Sequence, residues 1–260
     1  MIRILLILVL ILTFATEAVA QDFSFSRESK VAFPTSPASL DPTYGDTFFG
    51  SSAGIALPLG DLGSQDHRNF FSGYAKNGFV VNVINFHQKL NRNFGLGATW
   101  SRSQFTSEFG VLAEYYESQI NTLDFFADAS SDWVVHAAMA NFVVNVPHKL
   151  IDFDVRIGIG LGRVVRPEIL MEGYEKATGY FAYSWQQKET TINDIMWGFG
   201  IKARLHVTKS IDVFVQSDYQ RMTSTFDVEN VYALRFVETE EMTQNFETLS
   251  FALGLGFVIH

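Results

Sequence analysis

Residues 151–162, IDFDVRIGIGLG, alternate strictly between large apolar side chains and charged residues or glycine. Successive side chains of a β-strand point to opposite faces, so this segment predicts a strand with one wholly apolar face. Its glycines also suggest a dinucleotide-binding loop, but that loop has the spacing G-x-G-x-x-G and opens a helix. Here the spacing is G-x-G-x-G and the alternation continues through it. We therefore interpret the segment as a strand and not as a cofactor site.

The same alternation recurs in 94–100, 195–207 and 249–259, and in 211–220 with Phe214 as an exception. From Ile151 to Leu161 the apolar row covers about 33 Å, and it rises about 25 Å when the strand is tilted by about 40°. That is the height of the apolar band on an outer-membrane barrel, whereas strands of soluble proteins are shorter. The rows therefore predict a membrane barrel with its charges inside. A secreted lipocalin-like barrel, with inverted faces, is the alternative.

Eight strands are predicted, near 48–58, 77–88, 93–104, 132–146, 151–163, 194–207, 211–223 and 247–259. Short turns (LNRN, PHKL and TKS) alternate with long connections at about 59–76, 105–131, 164–193 and 224–246. This layout is typical of an all-β, eight-stranded antiparallel up-and-down transmembrane β-barrel, with short periplasmic turns and long outer loops. In 105–131 a short helix and continued strands are both compatible with the apolar spacing. Strands 77–88 and 132–146 are apolar on both faces, so their lipid-facing side stays open.

The first 20 residues have the pattern of a secretory signal peptide: Arg3, an apolar stretch and a small-residue cleavage site before Gln21. The domain prediction is a signal peptide at 1–20, a periplasmic lead-in segment at 21–47 and a barrel at 48–260. The chain has no cysteine, which excludes disulfides and thiolate metal sites. Its net charge of −9 argues against nucleic acid as a partner, because phosphate binding needs clustered Lys and Arg.

Charged residues at inward positions predict a network in the lumen, formed by Asp152, Asp154, Arg156, Lys202, Arg204, His206, Asp212 and Asp218. An eight-stranded barrel is only wide enough for side chains, so we expect these residues to close it. Glycines in the same rows leave room for the long cationic side chains. With Lys209 at the centre of the TKS turn, His206 faces Asp212 and Lys202 faces Gln216. Asp212 is then expected to pair with Arg204 or His206.

Trp100, Trp133 and Trp197 fall at strand ends near the predicted outer surface, and we interpret them as an aromatic girdle. The segments GIALPLGDLGS, SGYAKNGFVV and KLNRNFGLGATW resemble the outer-membrane-protein β-barrel family of Bacteroidetes-like bacteria. The resemblance covers about residues 48 to 260, and the chain is similar in size and layout to OmpA-like eight-stranded barrels. Such barrels usually end in an aromatic residue, whereas this chain ends in FVIH.

The six histidines are scattered, and no His/Asp/Glu cluster has metal-ligand spacing. His136 could act as the rim histidine of a lipid-modifying enzyme, but no motif places a serine and an acid beside it. The prediction is an integral outer-membrane protein of a Gram-negative bacterium with an envelope-structural or surface-binding role, no catalysis, no cofactor and no metal. Expected partners are outer-membrane lipids, lipopolysaccharide, the assembly machinery and an extracellular or envelope protein. A secretion or adhesion component, or a lipid-modifying hydrolase or acyltransferase, is the alternative.

Overall fold

The computed structural model describes residues 46–66, 72–148, 150–232 and 236–259. The predicted signal peptide lies outside these ranges, as do all but the last two residues of the predicted lead-in segment and the residues His67, Lys149 and His260. The elements, in chain order, are β1 (Thr47–Gly60), β2 (Gly78–Lys89), β3 (Phe94–Phe105), α1 (Gly110–Gln119), β4 (Leu123–Ala129), β5 (Trp133–Val146), β6 (Ile151–Arg166), β7 (Ile169–Glu175), β8 (Phe181–Gln187), β9 (Thr190–His206), β10 (Ile211–Tyr232) and β11 (Phe236–Ile259).

Eight of these strands close into a ring in the order β1-β2-β3-β5-β6-β9-β10-β11. The ring closes because β11 pairs with β10 along one edge and with β1 along the other, and every pairing is antiparallel. This confirms the predicted eight-stranded antiparallel barrel. The short turns, the start of β1 and the end of β11 share one end of the barrel, called the turn end below. The long connections lie at the other end, called the loop end.

The outer face of the barrel is apolar across its middle. Ile157, Ile159 and Leu161 on β6 are 61–69 % exposed, and Leu253 and Leu255 on β11 are exposed to a similar degree. Contiguous apolar rows of this size are not a stable surface in water. Apolar side chains outside and charged side chains inside are the arrangement of a transmembrane barrel, so the lipocalin-like alternative is wrong.

The structure shows which side chains of β2 and β5 face outwards and which face the lumen. On β2 the register with β3 shifts between Asn82 and Ile84, so that Val83 and Ile84 both face outwards. This bulge breaks the two-residue period, which is why the alternation was unreadable in the sequence. On β5 the odd-numbered residues face the lumen, and apolar side chains there pack inside the barrel.

The loop end is more ordered than predicted. The described part of the segment 224–246 is not a loop, because β10 and β11 stay paired from Ile211 opposite Phe257 to Tyr232 opposite Phe236. Their outer part is acidic and faces water, so it lacks the apolar row that marks the membrane part. Segment 105–131 contains both the helix α1 and the strand β4, and 164–193 contains β7 and β8. No helix in the described ranges is long and apolar enough to cross a membrane.

The lumen has two layers. Its turn half is polar and charged, whereas its loop half is an apolar core that includes Phe105, Trp133, Met196, Met222 and Phe246. The sequence prediction anticipated the charged layer but not the apolar one. An apolar layer inside a barrel that is apolar outside leaves no polar face, so alternation cannot reveal it.

Phe214, the exception to the alternation, packs inside the charged half against Phe48, with the ring centroids 5.5 Å apart. The lumen-facing glycines of β11 make room for these two rings. A Cβ at Gly254 would overlap Phe214, and a Cβ at Gly256 would overlap Phe48. Gly200 leaves space in the same way for Asp218 and Arg156.

We expect Gly254→Ala to lower the stability of the refolded barrel by about 1–3 kcal/mol, because the added methyl group overpacks the lumen. Gly110→Ala is the matched control, since nothing lies within 4 Å of a Cβ at that position. Denaturant unfolding in detergent measures both variants. Equal stability of Gly254→Ala and the wild type would contradict the packing argument.

Candidate functional site

The turn half of the lumen holds a charge network of equal numbers of acids and cations. Its carboxylates are Asp152, Asp154, Asp212 and Asp218, and its cations are Lys89, Arg156, Lys202 and Arg204, with His87 and His206 beside them. Every residue predicted for the lumen network is in it. His87 and Lys89 were missed, because they lie on β2, whose lumen face could not be assigned from the sequence.

Arg204 is the centre of the network. Its guanidinium is 3.0 Å from Asp152, 2.8 Å from Asp154 and 3.1 Å from Asp212. The three carboxylates come from two strands, since Asp152 and Asp154 lie on β6 and Asp212 on β10. One fully buried cation therefore ties three neighbouring strands together. Buried charges are tolerated only when they are paired and hydrogen-bonded in this way.

Two further contacts complete the pairing. Arg156 binds both oxygens of Asp218, at 2.5 and 2.6 Å, through Nη2. His206 lies between two carboxylates, with Nδ1 2.7 Å from Asp212 and Nε2 3.4 Å from Asp152. The pairing of His206 with Asp212 and of Lys202 with Gln216 is the predicted strand register.

Lys202 is held by an amide and two aromatic rings. Its Nζ donates to Asn85 Oδ1 at 2.6 Å and lies 4.4 Å from the Phe48 ring centroid and 5.2 Å from that of Phe214. Aromatic faces attract cations through their quadrupole, and desolvation strengthens this attraction.

Among the described residues, the cavities between the side chains of the network are small. Two cavities among these side chains measure about 10 Å³ each, which is room for about one water molecule. Together with the apolar layer above it, the network blocks the lumen. In the described part of the chain, no group of three or more His, Asp and Glu side chains is placed to hold a metal ion.

The three tryptophans do not form one girdle. Trp100 and Trp197 lie on the outer face, 40 % and 46 % exposed. Trp133 is fully buried in the lumen, where its indole N–H donates to the Gly73 carbonyl at 2.9 Å. Its assignment to the girdle was wrong, because it occupies an odd-numbered, inward position of β5.

Above the loop end, α1, β4, β7 and β8 form a structure that we call the cap. β8 pairs with the end of β10, β7 pairs with β8, and β4 pairs with β7, so the cap extends the barrel wall. Its core contains Phe109, Phe125, Ile169, Met171 and Trp185. A small apolar core of its own fixes the cap at the end of the barrel.

A cavity of about 90 Å³, which we call the mouth pocket, lies where the cap meets the barrel. Its aromatic lining residues are Tyr74, Phe109, Tyr116, Tyr183, Trp185 and Tyr232. Burial raises the pKa of Tyr74 and of Tyr183 to about 12. Both phenols therefore remain neutral hydroxyl groups at physiological pH.

Arg166, the last residue of β6, also lines this pocket and is 2 % exposed. It lies above the apolar band, because the row on β6 ends at the outward-facing Arg163. Its Nη1 is 3.5 Å from the Met242 sulfur, and its guanidinium lies 5.8 Å from the Trp133 ring centroid. Its Nε has no hydrogen-bond partner among the described residues. Burial lowers the pKa of Arg166 to about 10, so it is still charged at neutral pH.

The sequence contained a signal for Arg166 that the prediction did not use. The inward positions of β6 are even-numbered from Asp152 onwards, and extending that period beyond 163 places residue 166 inside. The predicted strand ended at 163, so Arg166 fell into a loop.

No protein-family model matches the sequence, and a comparison with curated protein sequences finds no relative. Among solved structures, the chain is similar to bacterial outer-membrane proteins. A major outer membrane protein from Thermus thermophilus has a TM-score of 0.47 at 7% identity, covering 84% of this chain and 100% of that one. Neisserial surface protein A (NspA) has 0.45 at 11%, covering 81% and 96%. Ail of Yersinia pestis has 0.40 at 10%, covering 84% and 100%. At such identities, function has to be argued from this chain's own residues.

We expect Asp212→Ala to destabilise the refolded barrel by about 3–5 kcal/mol, because it removes one of the four buried carboxylates, a partner of both Arg204 and His206, and leaves the network with a positive charge in excess. Glu240→Ala is the control, because this acid is exposed on the outer part of β11, and its loss should change stability by less than about 0.5 kcal/mol. Thermal or denaturant unfolding in detergent measures both. If Asp212→Ala unfolds like the wild type while Glu240→Ala does not, the network does not stabilise the barrel.

Proposed function

We propose that this protein is an integral outer-membrane barrel of a Gram-negative bacterium that conducts no solutes and acts at the cell surface in binding or envelope structure, without catalysis. The observation that carries the proposal is the combination of an apolar outer band with a blocked lumen. A barrel that encloses packed side chains offers only its outer wall and its cap for function. We also propose that the chain is OmpA-like in size and layout and that it is related to the outer-membrane barrels of Bacteroidetes-like bacteria.

The proposed orientation places the turn end in the periplasm and the cap outside the cell. Outer-membrane barrels have short periplasmic turns and long outer connections, and the connections here differ in this way at the two ends. Trp100 and Trp197 lie on the outer wall toward the loop end of the apolar band, where an interfacial aromatic residue belongs.

A row of basic side chains supports contact with anionic lipids at the outer boundary. Arg102 on β3 pairs with His136 on β5, which in turn pairs with Arg163 on β6. All three point outwards at the loop-end edge of the apolar band. Clustered cations at a membrane surface attract anionic headgroups. The phosphates of lipopolysaccharide are the groups that we propose to lie against this row.

The surroundings of His136 favour a role without catalysis. Its two cross-strand neighbours are arginines, and neither can orient or accept a proton as the acid of a catalytic triad does. Two nearby positive charges also oppose the protonated imidazole that a general base must form. A lipid-modifying enzyme is therefore the less favoured alternative.

An exposed aromatic cluster on the cap favours binding over a purely structural role. The Tyr174 ring lies 6.0 Å from that of Phe126 and 5.8 Å from that of Phe181, across the sheet of β4, β7 and β8. Phe126 and Phe181 are exposed. Exposed apolar patches on a surface element mark contacts with other molecules. An adhesion or secretion apparatus that docks on the cap is the alternative form of this proposal.

Planar bilayers test the absence of conduction. We expect the reconstituted protein to show no stable single-channel conductance, because charges and an apolar layer fill the lumen. A porin of known conductance, added to the same bilayers, serves as the positive control. Reproducible conductance by the wild-type protein would contradict the proposed function.

Trypsin added to intact cells tests the orientation. We expect cleavage after Lys176, which is exposed at the tip of the β7–β8 hairpin, and protection of Arg92 and Lys209 in the short turns. Permeabilised cells provide the control, because the turn end then becomes accessible. Cleavage at Arg92 or Lys209 on intact cells would show that the orientation is inverted.

A further inference from the structure

Arg166 differs from the two arginines of the lumen network. Arg204 and Arg156 each bind carboxylates at hydrogen-bond distance, whereas none of the ion pairs among the described residues includes Arg166. Its only close polar contact in that part of the chain is a thioether sulfur, which is a weak acceptor. A buried guanidinium is costly to keep without a counter-ion. The buried Arg156 and Arg204 are paired with carboxylates, whereas Arg166 lies where a pocket opens.

We propose that the mouth pocket binds a small monoanion, a carboxylate carried on an aromatic or aliphatic body, with Arg166 as its counter-ion. The inference rests on the proposed function, which places this pocket on the outside of the cell. Arginine is suited to bind a carboxylate, because its planar guanidinium group can donate to both carboxylate oxygens at once.

The shape and lining of the pocket define this ligand class. The enclosed space of about 90 Å³ accommodates a carboxylate and a few further atoms, and the rest of the ligand would lie along the opening. Aromatic and aliphatic side chains together form most of the wall, so an apolar body is favoured over a sugar or a second charged group. One cation at the floor matches one negative charge and leaves a phosphate dianion half neutralised.

Gln187 adds a second polar group to the floor. It is fully buried and lines the pocket, and one end of its side-chain amide donates to Asn230 at 3.1 Å. The carbonyl oxygen Oε1 of the same amide has no hydrogen-bond partner among the described residues. Oε1 is an acceptor, so it can take a hydrogen bond from an N–H or O–H group of a ligand or of water but not from a carboxylate, and the anion itself is bound by Arg166.

The alternative explanation is that Arg166 is structural and serves as a platform for Trp133. The two explanations differ in what removal of the charge does. A structural arginine stabilises the fold, so its loss destabilises the barrel. An arginine that binds a ligand lowers the stability of the ligand-free protein. An apolar replacement of similar length therefore leaves that stability unchanged or raises it.

Binding is tested with the refolded full chain in detergent, titrated with 4-phenylbutyrate and with its neutral amide. Tryptophan fluorescence is the readout, because Trp185 lines the pocket and Trp133 lies under Arg166. We expect the acid to bind at least about tenfold more tightly than the amide, as for a charge-assisted hydrogen bond. Arg166→Gln should abolish this difference, whereas Arg92→Gln, in the exposed short turn at the opposite end of the barrel, should retain it.

Equal binding of acid and amide by the wild type, no binding of either, or an equal loss in Arg92→Gln would overturn the proposal. A second measurement covers a role in folding: the melting temperature of Arg166→Met without ligand should equal or exceed that of the wild type. A clear decrease would show that Arg166 is structural and would also overturn the proposal. Conductance of the same preparation tests the closed barrel separately, since a conducting barrel that still discriminates acid from amide refutes only that function.

Discussion

The pairing of Arg204 with three aspartates is the interaction on which the membrane part of the structure depends. A barrel surrounded by lipid has no water on its outer wall, so charges have to be inside, and inside they have to be neutralised. Arg204 joins β6, β9 and β10 through Asp152, Asp154 and Asp212. The same contacts that neutralise the charges also fill the lumen, so stability and closure have one cause.

The fold was predictable where the two faces of a strand differ in polarity. On β6, β9 and β11 the lumen positions carry charges or glycine, so both the strand and its lipid-facing side followed from the alternation. The two faces could not be told apart where the lumen is apolar, because an apolar layer inside an apolar wall gives no alternation of polarity. The faces of β2 could not be predicted either. Val83 and Ile84 both face outwards at its bulge, so the inward positions change there from even-numbered to odd-numbered residues.

The charge network was largely predictable because a tight turn determines the register of its two strands. The TKS turn was enough to place His206 opposite Asp212. Contacts between strands distant in sequence were not accessible in this way. Lys89 and His87 approach the aspartates of β6 across the lumen, and no turn determines that approach. The cap escaped prediction because its short strands pair above the membrane, where solvated acids replace apolar rows.

Buried charges are balanced in the turn half of the lumen, whereas Arg166 in the loop half has no carboxylate partner among the described residues. The positions of the two halves explain this difference. In the turn half, carboxylates and cations are equal in number, because this part of the lumen lies within the apolar band and is sealed by side chains. Arg166 lies beyond the outward-facing Arg163, at the opening of an aromatic pocket, where a ligand can reach it. A residue that served only to fill space here would be apolar, like Trp133 and Met242 beside it. The retained charge therefore points to a site and not to a defect in packing.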